Sequence, residues 1–149
     1  MRPSFVILAV LLVACGADSA TSPAGSYADI SGSYSGPISG TSQGVTLSAT
    51  LSLTIAQNGG SVSGTEAVVG TLNGTPGSGT GTFTGTIAPG NNPSVNLAVT
   101  DSDCPAFHQS YSGAYDSANH RLTMTGPFPI FNPDCSVALT YSLTLILSK

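Results

Sequence analysis

Charge is what this chain has least of. Of 149 residues, three are lysine or arginine, seven are aspartate or glutamate, and the formal net charge is -4. Charged residues make up 7%, against roughly 25% in an average globular protein. The basic residues are Arg2, Arg121 and Lys149 alone, far apart in sequence. They form no basic stripe, so the electrostatic footprint of a nucleic-acid binder is missing and that class is excluded. Tryptophan is absent and Glu66 is the only glutamate. No segment shows the 3.6-residue apolar period of a helix, and beyond the first residues no run is long and apolar enough for a transmembrane helix. Glycine, serine and threonine fill the space left by charge. With 40% hydrophobic residues the composition is not that of a disordered chain.

What is present is strict alternation. Val45, Leu47, Ala49, Leu51, Leu53 and Ile55 alternate with Thr46, Ser48, Thr50, Ser52 and Thr54. A period of two over this length is a β-strand with one apolar and one hydroxyl face. Val137, Leu139, Tyr141, Leu143, Leu145 and Leu147 repeat the pattern near the end of the chain. Between and around them, eight strand segments are predicted: 30–38, 44–57, 61–69, 80–87, 94–100, 111–115, 121–126 and 136–147. Residues 70–79 and 127–135 read as loops, the second because its three prolines do not suit a sheet interior. None of the links needs a crossover, so the segments predict an antiparallel meander. One apolar face and two open edges are both satisfied when the meander closes into an eight-stranded up-and-down barrel. A β-sandwich of the same strands is the alternative.

Strand parity places links 58–60, 88–93 and 116–120 at one end, and links 39–43, 70–79, 101–110 and 127–135 at the other, mostly longer, end. Cys104 and Cys135 fall in two links of that second end.

The first residues read as an export signal: Arg2, then an apolar run from Phe5 to Val13 too short to span a bilayer. The run ends in Leu12-Val13-Ala14-Cys15, followed by Gly16, which resembles the lipobox of bacterial lipoproteins. The resemblance implies that residues 1–14 are a signal peptide and that Cys15 carries diacylglycerol and a further acyl chain such as palmitate. More than one chain on one residue meets the requirement for stable anchoring. Gly16 resembles the second mature residue of lipoproteins sent to the outer membrane, so the predicted location is the bacterial cell envelope, on its periplasmic or surface face. The alternative is an ordinary secretory signal cleaved after Ala14 or Ala17. Residues 15–29, small, polar and broken by Pro23, suit a tether, and residues 30–149 form the barrel domain. With Cys15 set aside as the lipidated cysteine, Cys104 and Cys135 are the only cysteines left in an oxidising compartment and are expected to form a disulfide; their shared rim supports the topology.

The barrel pattern, opening on Gly32-Ser33-Tyr34-Ser35-Gly36, is similar to the small eight-stranded barrels of the avidin and lipocalin type. That likeness implies a ligand held inside. The tryptophan-lined biotin pocket of avidins is not carried over, since this chain has no tryptophan. An eight-stranded interior is either just filled by side chains or just holds one small ligand. Tyr34, Phe83, Tyr111 and Tyr141 lie in the apolar phase and are the candidate lining of such a site, with Glu66 as its one carboxylate. Glu66 shares the phase of Val62 and Val68. A β-bulge at Val68-Val69 would turn it outward, and this is the preferred reading.

Asp101, Asp103, His108 and Asp134 surround the predicted disulfide, but their spacing matches no calcium loop, and aspartate in loops is ordinarily a turn former. No metal or cofactor is expected. There is no Gly-x-Ser-x-Gly turn, and His108 is the only base on that rim, so the chain is read as non-enzymatic. The expected function is binding of a small apolar or amphipathic ligand in the barrel mouth. A filled barrel acting as an envelope scaffold or adhesion module through its loops is the alternative.

Overall fold

A computed structural model describes residues 25–149. The predicted signal peptide, the lipidation site Cys15 and most of the tether lie outside the described residues. The rest forms eight antiparallel strands in chain order: β1 Gly32–Ser42, β2 Val45–Asn58, β3 Ser61–Leu72, β4 Thr75–Ile87, β5 Ser94–Asp101, β6 His108–Asp116, β7 Arg121–Phe131 and β8 Val137–Ser148. Each pairs with its sequence neighbour, and β1 returns to β8, giving a closed up-and-down barrel. The sandwich alternative is thereby excluded.

Alternation in sequence becomes alternation in burial. On β2, Leu47, Leu51, Leu53 and Ile55 are buried while Thr46, Ser48, Ser52 and Thr54 face solvent. On β8, Tyr141, Leu143, Leu145 and Leu147 are buried between exposed serines and threonines. Val137, expected on the same inward face, is 43% exposed. It sits at the rim, next to an irregularity in register between Ile130 and Phe131. The apolar side chains point to a common axis and the hydroxyls coat the outside, the inverse of a membrane-spanning barrel. Strand length does not make that distinction: β2 runs 14 residues as expected, and β3 and β4 run 12 and 13, longer than expected.

Two predicted loops are strands instead. The 70–79 segment is a tight hairpin turning on Asn73-Gly74, both at positive φ (47° and 82°) as a type I′ turn requires. Asn73 also pins the turn to β2: its N–H donates to the Thr46 carbonyl at 2.9 Å, and its Oδ1 accepts from the Thr46 N–H at 2.8 Å. Gln43-Gly44 makes a second turn of this kind between β1 and β2. The expected contrast of tight and long ends is not found: the rim has two tight turns and the links 102–107 and 132–136, and the other end has the link 88–93, as long as 102–107. In the other revised loop, β7 continues through Pro127 and Pro129. Its pairing with β6 stops at Ser112↔Thr125, and beyond that point it pairs with β8 alone. The prolines thus occupy a local sheet edge, where the missing N–H costs no ladder bond.

Cys104 and Cys135 join those two rim loops, with a Cα–Cα distance of 5.5 Å. At the opposite end, the segment before β1 lies against the barrel floor. Ile30 is fully buried, Gln57 Oε1 accepts from the Ile30 N–H at 2.8 Å, and Gln57 Nε2 donates to the Ala28 carbonyl at 3.0 Å. Tyr27 bridges to Gly90 in the 88–93 link. The chain therefore enters the barrel at the end away from the disulfide.

Closure has a steric condition. Gly36 of β1 faces the backbone of β8 so closely that any Cβ would strike the Ile146 carbonyl. Gly77 of β4 has open space around it. Gly36→Val is expected to cost about 3 kcal/mol or more, and Gly77→Val less than about 0.5 kcal/mol, in urea denaturation followed by tyrosine fluorescence; equal effects would contradict the closure geometry. For the disulfide, spanning 31 residues, reduction is expected to lower stability by about 3–4 kcal/mol on the chain-entropy model. Alkylation of either cysteine in the unreduced folded protein would refute the pairing.

Candidate functional site

The lower and upper halves of the barrel differ. Towards the floor the interior is filled. Tyr34 and Tyr115 meet edge to face with ring centres 6.4 Å apart, the Tyr34 hydroxyl donates to the Ile30 carbonyl at 3.0 Å, and the Tyr115 hydroxyl lies 3.1 Å from His120 Nδ1. His120, an exposed turn residue, closes this cluster. Phe83 packs into the space left by Gly64, and Tyr111 into that left by Gly126. Higher up, the Tyr141 hydroxyl reaches across the seam and donates to the Val45 carbonyl at 3.2 Å.

Above this packing the barrel opens into a cavity of about 480 Å³. One wall comes from β2, β3 and β4, through Leu47, Val68 and Leu72; the other comes from Phe128 and Ile130 of β7 and the disulfide loops. The volume and the mostly apolar walls with few polar groups are those of a small-molecule site. Of the residues expected to line a ligand site, Glu66 lines this cavity. Tyr34, Phe83, Tyr111 and Tyr141 are buried in the core and do not line it.

Glu66 faces inward, contrary to the preferred reading. The register of β3 with β2 and β4 runs unbroken through Val68 and Val69, so there is no bulge. Alternation alone decides the orientation: Val68 lines the cavity and Val69 is 65% exposed. The Glu66 carboxylate lies over Gly81 of β4, where an added Cβ would come within 2.9 Å of its Oε1. Burial, helped by the negative charge of Asp101, raises the carboxyl from its ordinary 4.5 to about 7. Glu66 in turn joins burial in pushing the Tyr111 hydroxyl above its usual range.

Gln109, which the sequence left in a loop, begins the inward phase of β6. It is 6% exposed and lines the cavity. Its Oε1 accepts from the Tyr111 hydroxyl at 3.3 Å, while its Nε2 has no hydrogen-bond partner among the described residues. A polar residue two positions before an inward tyrosine was the available signal.

The rim aspartates behave as turn formers. Asp101 Oδ1 accepts the N–H groups of Asp103 and Cys104 at 2.8 and 2.9 Å, and Asp134 Oδ1 accepts from the N–H and hydroxyl of Ser136, which hold its carboxyl below the usual range. His108 Nδ1 lies 3.0 Å from the Thr100 hydroxyl on the outer face. Among the described residues, no three His, Cys, Asp or Glu side chains gather as metal ligands.

Compared with known protein families, curated proteins and solved structures, the chain matches none of them.

Glu66 gives a measurable signature. Its carboxyl titrates near 7 in the folded protein and near 4.5 when unfolded. Between these values the folded chain holds a proton that the unfolded chain has released, so stability falls as pH rises through that window. The fall is expected to be on the order of 2–3 kcal/mol between pH 5 and 7.5. Glu66→Gln is expected to flatten it in urea denaturation across that range; an unchanged slope would place the titration elsewhere.

Proposed function

We propose that this protein is a lipid-anchored component of the bacterial cell envelope that binds a small apolar or amphipathic ligand in its barrel mouth, without catalysis. The observation that carries this reading is the rim cavity, with apolar walls and two inward polar side chains, Glu66 and Gln109, set above a filled floor. Both side chains present polar atoms to the open mouth, where the head of a ligand can meet them.

The anchor rests on the lipobox-like Leu12-Val13-Ala14-Cys15. The chain reaches the barrel from the floor side, where Tyr27 meets Gly90. An acylated Cys15 would therefore hold the floor towards the membrane and leave the mouth facing away. The scaffold reading is supported by the packed interior around Tyr34, Phe83, Tyr111 and Tyr141, but gives no role to the inward carboxylate.

Two measurements test this. Cys15→Ala is expected to move the protein from the membrane to the soluble fraction; continued membrane association would defeat the anchor. Native mass spectrometry of protein isolated from its own cells is expected to show a non-covalent adduct that collisional activation removes. Its absence, together with no calorimetric response to short-chain amphiphiles, would favour the scaffold.

A further inference from the structure

The charges of the described chain are divided between the two ends of the barrel. Arg121, at the start of β7, sits 3.9 Å from Asp116, and Lys149 lies 6.0 Å from the ring centre of Tyr34; both are at the floor. The cavity is lined by Glu66, Asp101 and Asp103, and by no lysine, arginine or histidine. Asp101 is committed to two backbone N–H groups. Glu66 accepts no hydrogen bond from the described residues and has no counter-ion there. Gln109, buried beside the same cavity, keeps its Nε2 without a partner. Among the described residues no buried side-chain nitrogen or oxygen lacks a partner, so these polar atoms reach the open cavity, and the electrostatic sign of that end is negative.

Resting on the reading of the mouth as a binding site, we infer that its ligand is an amphiphilic amine, with the cationic head against Glu66 and the apolar body along Leu47, Leu72, Phe128 and Ile130. An anionic amphiphile such as a fatty acid would bring a further negative charge to three carboxylates in a partly dry site, where repulsion is strong. A neutral amphiphile such as an alcohol would fill the apolar walls and donate a hydrogen bond, but would leave the negative charge without a counter-charge. A cationic amphiphile fills the walls and supplies that charge. The groups facing Glu66 are consistent with this. β5 brings Asp101 and β6 brings Tyr111, while its paired neighbours on β2 and β4 are Leu53 and Gly81. Since the empty site holds Glu66 protonated at acid pH, amine binding expels that proton and tightens as pH rises.

The test is calorimetric titration of the full-length chain carrying Cys15→Ala, in detergent-free buffer, with hexylamine, hexanol and hexanoate at pH 8. Hexylamine is expected to bind at least tenfold more tightly than hexanol, and hexanoate more weakly than either. The preference for amine over alcohol should shrink several-fold at pH 5.5. Glu66→Gln, which removes no hydrogen bond of the described structure, should abolish the preference for hexylamine over hexanol. Ile130→Ser should weaken amine and alcohol together. Equal binding of amine and alcohol, or an amine preference that survives Glu66→Gln, would overturn the amine assignment while leaving a binding cavity. Failure of all three probes would overturn the cavity reading as well.

Discussion

A strand with one apolar face and one hydroxyl face has to bury the first and expose the second, and eight such strands in sequence leave two open edges unless the first meets the last. That meeting is β1 against β8. The ladder there holds a single residue pair, Ser35↔Ser148, where β1 and β2 share a continuous register from Gly32↔Ile55 to Ser42↔Val45. The seam is held mainly by packing. Leu147 lies over Gly36, and Leu143 and Tyr141 lie over Gly40. Each buried leucine contributes about 1.5–3 kcal/mol, against about 0.5–1.5 kcal/mol for a hydrogen bond, so two or three such side chains offset the loss of several ladder bonds. The absent Cβ of Gly36 lets the two backbones come near enough, and that of Gly40 leaves room for the side chains of Leu143 and Tyr141.

Given closure, the two ends follow different rules. The floor is built from rings whose hydroxyls find partners inside the protein, as Tyr34 does with Ile30 and Tyr115 with His120. The rim is built from strands of unequal height. β3 and β4 pair up to Leu72↔Thr75, but β4 meets β5 only from Gly81↔Asp101 downward, and β7 leaves β6 at Thr125. The disulfide loops occupy the space between these two taller walls, and the cavity results from that unevenness.

Much of this was legible in sequence. The alternation of Val45 to Ile55 and the parity of the links led to the barrel, and setting Cys15 aside as the lipidated cysteine led to the pairing of Cys104 with Cys135. The misreadings have a common origin in local preference overruled by neighbours. Gly70, Pro76, Gly77 and Gly79 are poor strand formers taken singly, yet β2 supplies a template and Asn73 locks the turn to Thr46. Pro127 and Pro129 were read as breakers because the sequence does not reveal that β7 is an edge there. Glu66 was assigned outward on the prior that carboxylates avoid interiors, although its phase with Val62 and Val68 was correct. The rings were candidates for a pocket wall because phase shows which side a residue faces and not how high it stands. Height along the barrel axis separates Tyr111 in the packing from Gln109 in the cavity, two residues apart.

The separation of floor from rim has a consequence for how such a molecule changes over generations. Much of the buried packing lies in the lower layers and the seam, so the half-buried side chains around the mouth can be exchanged at less cost to the scaffold than those below. Leu72, Ile130 and the carboxylate among them form a variable surface on a more constant cup. Descendants of one such gene could therefore diverge in what they carry while remaining superimposable below the mouth.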